Sequence, residues 1–241
     1  MSTSVLVQPV NSPDDFAAVY HCMSEAFGRQ IRDSIWISMN PEWGSPEGQR
    51  EGASKLLRRW QSATKNEEGQ PNTIILKASV PNPQDETKHK IVGAAIWSQT
   101  SFVDGHGDRP TDSPADVAAL SDTEKRFASQ MYRSLWKRRV ALAREKACSD
   151  SPAMFTLYTW AVDPAFQRRG VAGKLVEWGL QEAKRRGGLE CTTEASRHVW
   201  GELCIQSSGS ERRVQRKILC MKSMNSLGIV ISRRFCSCVL G

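Results

Sequence analysis

Apolar residues recur at every second position in some stretches of the chain and at three and four in others, and the two periods take turns. Residues 4–10, "SVLVQPV", alternate and read as a strand. The segment "SPDDFAAVYHCMSEAFG" follows, with Ser12 placed as N-cap, Pro13 at the first helical position and Asp15 at the capping-box position. A strand and then a helix are expected. "IRDSIWISMNPEW" fits neither period, whereas 52–65, "GASKLLRRWQSATK", predicts a second helix with Leu56, Leu57 and Trp60 on one side. Two extended runs, 73–80 and 90–100, flank the polar "PNPQDETKH" and predict a hairpin. The Gly-, Pro-, Asp- and Ser-rich stretch 101–118 predicts a long loop of the kind that often carries function. A helix is then expected over 118–147, with apolar positions at 127, 131, 135, 136, 140 and 142.

The second half is more sharply written. "MFTLYTWAVDP", 154–164, is a strand that Asp163 and Pro164 stop. After a short loop, Ala172, Leu175, Val176, Gly179, Leu180 and Ala183 form one apolar stripe, with Lys174, Glu177, Gln181, Lys184 and Arg185 opposite it. Gly187 and Gly188 supply a left-handed C-cap, and "LECTTEAS", 189–196, is the next strand. Strand, tight loop, helix, strand is a βαβ unit, so the fold class expected is α/β, a mixed central sheet flanked by helices.

The loop before that last helix, "QRRGVAG", is where chemistry is indicated. The first turn of a helix leaves backbone N–H groups without partners and carries about half a positive charge. A phosphate satisfies both. Gly170 and Gly173 let an anion approach the backbone, and Arg168 or Arg169 can add charge-assisted hydrogen bonds. A plain solvated turn explains the same residues. Two nucleotide motifs are excluded: a P-loop needs Gly where Arg168 stands and Ser or Thr where Leu175 stands, and a dinucleotide fingerprint needs Gly at 172 and 175.

Composition narrows the classes. With 241 residues, 39% hydrophobic and 24% charged, one soluble domain is expected, and no apolar run reaches the roughly 18 residues of a membrane span. The N-terminal residues lack a signal peptide's pattern, so a cytoplasmic or nuclear location is expected. Seven cysteines with no CxxC pair indicate reduced thiols and no metal site. The net charge of +7 is concentrated: residues 197–241 alone carry a balance of +6. They also hold four of the seven cysteines and no Ala, Pro, Asp, Thr or Tyr. Lacking aromatic interleaving, this basic stretch is not read as a nucleic-acid surface, and "CSCVLG" ends on a Gly that is atypical for prenylation.

The segment "LYTWAVDPAFQRRGVAGKLVEWGLQEAKRRG" resembles the acetyl-CoA motif of the GNAT superfamily of acyl-CoA N-acyltransferases, in which a strand ending near V-x-P precedes Q/R-x-x-G-x-G/A at a helix start. Gln167, Gly170 and Ala172 fill its defining positions, and the order of elements over 4–196 is similar to that family's. The resemblance implies acetyl-CoA as cosubstrate and an amine as acceptor. It implies that the amides of Arg168, Arg169, Gly170, Val171, Ala172 and Gly173 hold the pyrophosphate, and that Trp160, Ala161 and Val162 offer strand-edge groups to the pantetheine arm. The amide of Val162 would face the oxyanion. For catalysis no residue is assigned; Glu194 is a conceivable proton acceptor, with an exposed strand residue as the plainer reading. His21, His89, His106 and His198 lie in unrelated contexts and read as surface residues.

After about Ser196 the chain departs from that family, whose members continue with a segment like L-Y-x-K-L-G-F. Here "RHVWGELCIQSSGSERR" stands instead, without the tyrosine that often protonates the departing thiolate. The organisation expected is therefore a GNAT-like domain over 1–196 and an atypical tail, 197–241, either disordered or the product of a frame or splice error. An acetyl-CoA-binding pseudoenzyme is the alternative to an active transferase. Back-translated in a shifted frame, the codons beyond Val199 permit L-Y-x-K-L-G-F, so the shifted frame of the genomic sequence is predicted to encode it. Sequencing across Ser196 that finds another heptapeptide there sinks the frame-error reading.

Overall fold

The structure, a computed structural model, describes residues 4–82, 85–111, 121–194, 218–222 and 230–234. Among these residues seven strands form one sheet in the order β1-β2-β3-β4-β5-β6-β7, with helices beside it, which is the mixed α/β architecture the patterning predicts. By contacts the chain divides into two compact units.

The first unit comprises Met1–Ala63, Thr73–Trp97 and Thr159–Trp178. Strand β1 (Leu6–Pro9) pairs antiparallel with β2 (Thr73–Asn82), Leu6 opposite Ser79 and Pro9 opposite Leu76. Helix α1 (Asp15–Met23) buries Phe16, Val19, Tyr20, Cys22 and Met23, a stripe at helical spacing. It begins two residues later than a cap at Ser12 implies, because Asp15 and Phe16 bond to the carbonyls of Ser12 and Pro13 and close a turn first. Lys77 of β2 donates to Asp15 at 2.6 Å, so that carboxylate is held by a cation across the unit rather than spent on a cap. The chain runs on from α1 into a π-helical stretch, Ser24–Ile31, which ends on Arg32 in the left-handed region. Helix α2 (Ser34–Met39) resolves the ambiguous segment: Asp33 caps it by accepting from the Trp36 amide at 2.8 Å.

Helix α3 (Pro46–Gln61) starts six residues before the predicted 52. Ser45 caps it and Pro46 opens it, but its only buried residues are Gly48 and Gly52, so no apolar stripe marked the first turns. Strand β3 (Asp85–Ser101) completes the hairpin with β2.

The second unit comprises Thr64–Asn72, Ser98–Tyr158 and Gly179–Gly241. Here helix α4 (Asp122–Lys146) buries Ala128, Met131, Trp136, Leu142 and Ala143. The Gly-rich stretch folds back, with Thr100 bridged to Asp108, and His106 lies 3.3 Å from Glu67 rather than unaccompanied. Strand β4 (Ala153–Val162) pairs in parallel with β5 (Glu190–Glu194), Met154 opposite Glu190 through Leu157 opposite Thr193, and the hydroxyls of Thr156 and Thr192 bond at 2.7 Å. Between them runs α5 (Val171–Arg185), closed by Gly187 and Gly188 at φ 86° and 78° as the sequence predicts.

Two segments of the compositionally distinct tail belong to the sheet. Strand β6 (Ile218–Lys222) pairs in parallel with β5, and β7 (Val230–Arg234) pairs antiparallel with β6. Residues 195–217, which contain "RHVWGELCIQSSGSERR", lie outside the described residues. No helix among the described residues is long and apolar enough to cross a membrane, and no group of metal-ligating side chains occurs among them.

Phe16 is 1% exposed and its ring lies 5.7 Å from that of Trp60. Truncating it opens a cavity under the first helix, so Phe16→Ala is expected to lower unfolding free energy by about 3–5 kcal/mol in a urea titration.

Candidate functional site

The site grows from the end of β4. Its backbone N–H and C=O groups alternate in direction, and Asp163 donates to the Val92 carbonyl at 2.9 Å. The amides of Trp160 and Val162 therefore point away from β3. Pairing with β5 covers 154–157 and β5 ends at Glu194, so among the described residues 159–162 has no strand partner on that side. Such an edge can bond an extended ligand as another strand would.

Asp163 then turns the chain. Its carboxylate accepts from the Ala165 amide at 2.9 Å and caps a single 3₁₀ turn, Pro164–Phe166. Gln167 leaves that turn in an extended conformation and reaches back, donating to the Val162 carbonyl at 3.0 Å. Gln167 also exchanges hydrogen bonds with Gln30 of the π-helical stretch, at 2.8 and 3.0 Å. One side chain thus ties the strand end, the loop and the helical segment after α1.

Arg168 follows at φ 63° and Gly170 at φ 78°. A left-handed conformation suits Gly170 and costs a residue with a Cβ about 1–2 kcal/mol, so Arg168 is held under strain. Strain of this kind collects at binding turns. Arg168, Arg169 and Gly170 are exposed; the Arg169 guanidinium folds back on the Ala165 carbonyl and lies 5.1 Å from the Phe166 ring centroid.

Helix α5 starts directly after this turn. Its first helical bond runs from the Lys174 amide to the Gly170 carbonyl at 3.1 Å, which leaves the N–H groups of Val171, Ala172 and Gly173 without helical acceptors. A Cβ placed on Gly170 or Gly173 would meet nothing within 4 Å, so the space beside those amides is open. Val171 and Leu175 are buried, and the helix start lies close to β3 because Gly93 has no side chain: a Cβ there would come within 3.1 Å of the Ala161 carbonyl and of Val171. Open space, unpartnered donors, exposed arginines and a helix dipole make this a place that fits a pyrophosphate.

Catalytic side chains are less evident. Glu194 is not an exposed strand residue: its side chain is 5% exposed, and both its oxygens accept from Arg139, Nε to Oε1 at 2.7 Å and Nη2 to Oε2. That bidentate pairing engages both oxygens of the carboxylate. Sequence reasoning missed the pair because its partners are 55 residues apart and nothing local links them. Burial pushes the thiols of Cys22 and Cys191 up to about 12, with the Asp163 and Glu190 carboxylates adding to it, so both stay protonated near neutral pH and neither is a ready nucleophile.

Residues 117–201 match the acetyltransferase (GNAT) family. Among solved structures, the chain is similar to arylalkylamine N-acetyltransferase 2 from Aedes aegypti, at 15% identity with a TM-score of 0.52, covering 86% of this chain and 82% of that one. It also matches a mosquito arylalkylamine N-acetyltransferase-like 5b (14% identity, TM-score 0.48, 96% and 94% covered). A histone acetyltransferase HPA2 and related acetyltransferase from Corynebacterium glutamicum matches at 20% identity and TM-score 0.45, covering 86% and 84%. No curated sequence matches with significance.

If the turn is strained at Arg168, glycine should be preferred there over alanine. Arg168→Gly is expected to be more stable than Arg168→Ala by about 1 kcal/mol, both lacking the guanidinium, as read from paired thermal or urea unfolding.

Proposed function

We propose that this chain, a GNAT-family acyltransferase by the domain at 117–201, transfers an acetyl group from acetyl-CoA to a primary amine. The observation that carries the reading is the run from Val162 to Gly173: a strand end whose outer edge has no strand partner among the described residues, a strained left-handed turn and an open helix start, in the order the resemblance requires. In this reading the amides at 168–173 bind the pyrophosphate, with the Arg168 and Arg169 side chains within reach of its charge. Gln167 acts through shape, holding the turn to the strand. Trp160, Ala161 and Val162 line the pantetheine arm. Their edge groups do not all contribute equally, since the Val162 carbonyl is already engaged by Gln167 while its N–H points outward. In this reading that N–H is the donor that faces the carbonyl oxygen as negative charge develops on it.

Direct transfer is the reading taken, and burial, which pushes the thiols of Cys22 and Cys191 up to about 12, makes neither of those two suited to carry the acetyl group. An alkylammonium acceptor has a pKa near 10.4, so exposing its lone pair at neutral pH costs about 5 kcal/mol, which desolvation or a water-relayed base must offset. The stretch 101–118 and helix α4 are the variable elements from which the acceptor surface is expected to be built.

The substitution Gly170→Glu puts bulk and negative charge beside the open helix start and forces a Cβ into the left-handed region. It is expected to abolish acetyl-CoA binding in calorimetry, and unchanged affinity overturns the assignment. Release of coenzyme A with a panel of amines tests the transfer itself, and binding without turnover would make the chain a pseudoenzyme.

A further inference from the structure

A cavity of about 230 Å³ within the second unit is lined on its buried side by an arginine that has more donors than acceptors. Arg186 directly follows α5, and its side chain is 1% exposed. Its Nε donates to Glu182 at 2.8 Å, its Nη1 donates to Gln99 at 2.7 Å, and its guanidinium lies 5.1 Å from the Phe155 ring centroid. Among the described residues Nη2 has no hydrogen-bond partner. Gln99 is not free to turn toward it, because its own Nε2 donates to the His106 carbonyl at 2.8 Å. Glu182 is also engaged, accepting from Arg185 at 2.7 and 2.8 Å. A buried cationic donor held rigidly on two sides and left open on the third calls for an acceptor from outside the chain.

The exposed part of the wall carries the opposite charge, from Glu67, Glu68 and Asp150. Glu67 is fixed there: its amide donates to the Gly105 carbonyl at 2.8 Å, and its carboxylate lies 3.3 Å from His106. A protonated His106 offsets Glu67 alone, so Glu68 and Asp150 stay negative in either state of the imidazole. Pro152, Ala153 and Leu189 add an apolar wall. A simple anion would satisfy Nη2 but meet the acids, and a simple cation would meet the acids but be repelled by the guanidinium. A molecule with an oxyanion and an ammonium a few atoms apart matches both ends. The volume is below the roughly 300 Å³ at which sites for drug-sized ligands begin, so the molecule is small. We propose that this cavity binds a small free α-amino acid, whose carboxylate accepts from Arg186 Nη2 and whose ammonium faces Glu67, Glu68 and Asp150. All of these residues belong to one unit, and the proposal does not draw on the acetyl-CoA reading.

Calorimetry and thermal unfolding of the full chain with L-alanine, L-serine and L-leucine test it. At least one is expected to bind with a Kd of about 1 mM or tighter. Neither heat nor a shift in melting temperature at about 20 mM of each overturns the proposal and leaves the cavity to water. The N-acetyl derivative of the amino acid that binds best, acetate and inorganic phosphate all lack the ammonium and should bind at least about tenfold more weakly. Equal affinity for them overturns the proposal in favour of a plain anion site, one that would also take the C-terminal carboxylate of a peptide. Arg186→Lys keeps the charge but not the forked donors and is expected to weaken binding about tenfold or more. Because that position is buried, a second variant pairs Glu68→Gln with Asp150→Asn, both exposed. It is expected to melt as the wild type does, to lose several-fold in affinity for the amino acid and to bind acetate no more weakly. Wild-type affinity for the amino acid in this folded variant overturns the assignment.

Discussion

Past Leu157, strand β4 is paired with β3 on one side and, among the described residues, with no strand on the other. A backbone does not leave its donors and acceptors without partners in a dry interior, so the outward groups of this stretch call for a partner beyond the described strands. Much of what surrounds it follows from that constraint. The chain must turn away from the sheet at Asp163, and it does so with a side-chain cap rather than a further strand residue. The helix that returns must lie close to β3, which the missing side chain of Gly93 permits.

The turn itself is energetically mixed. Arg168 is in a conformation that opposes folding, while the Asp163 cap, the three hydrogen bonds of Gln167 and the buried stripe of α5 favour it. The favourable contacts surround the strained residue without relaxing it. A binding loop built this way presents its amides in a fixed direction before any ligand arrives, so less ordering entropy is lost on binding.

How legible the chain was depended on the range of the interaction. Helix α5, with its stripe from Leu175 to Ala183 and its two glycines, could be read because everything that defines it lies within one local window. The candidate loop was legible for the same reason: Gln167, Gly170 and Ala172 are spaced as a local backbone shape demands. The opening of α3 was not, although Ser45 and Pro46 announced it, because Gly48 and Gly52 pack without adding to an apolar period. The π-helical register after α1 leaves no compositional mark at all. Least legible was the environment of Glu194, since only the folded chain brings α4 to the end of β5 and replaces water by Arg139 around that carboxylate.

The π-helical stretch Ser24–Ile31 gives the chain an unusual sensitivity to length. A wide turn of this type accommodates one residue more than a regular helix would over the same rise. Gln30 lies near the C-terminal end of that stretch and exchanges hydrogen bonds with Gln167. Loss of a single residue before Gln30 in the stretch would turn Gln30 by about 100° around the helix axis, away from its partner. Substitutions here can therefore be mild where a one-codon deletion is not, and variation among descendants of this chain should spare the count of residues between Met23 and Arg32 more strictly than their identity.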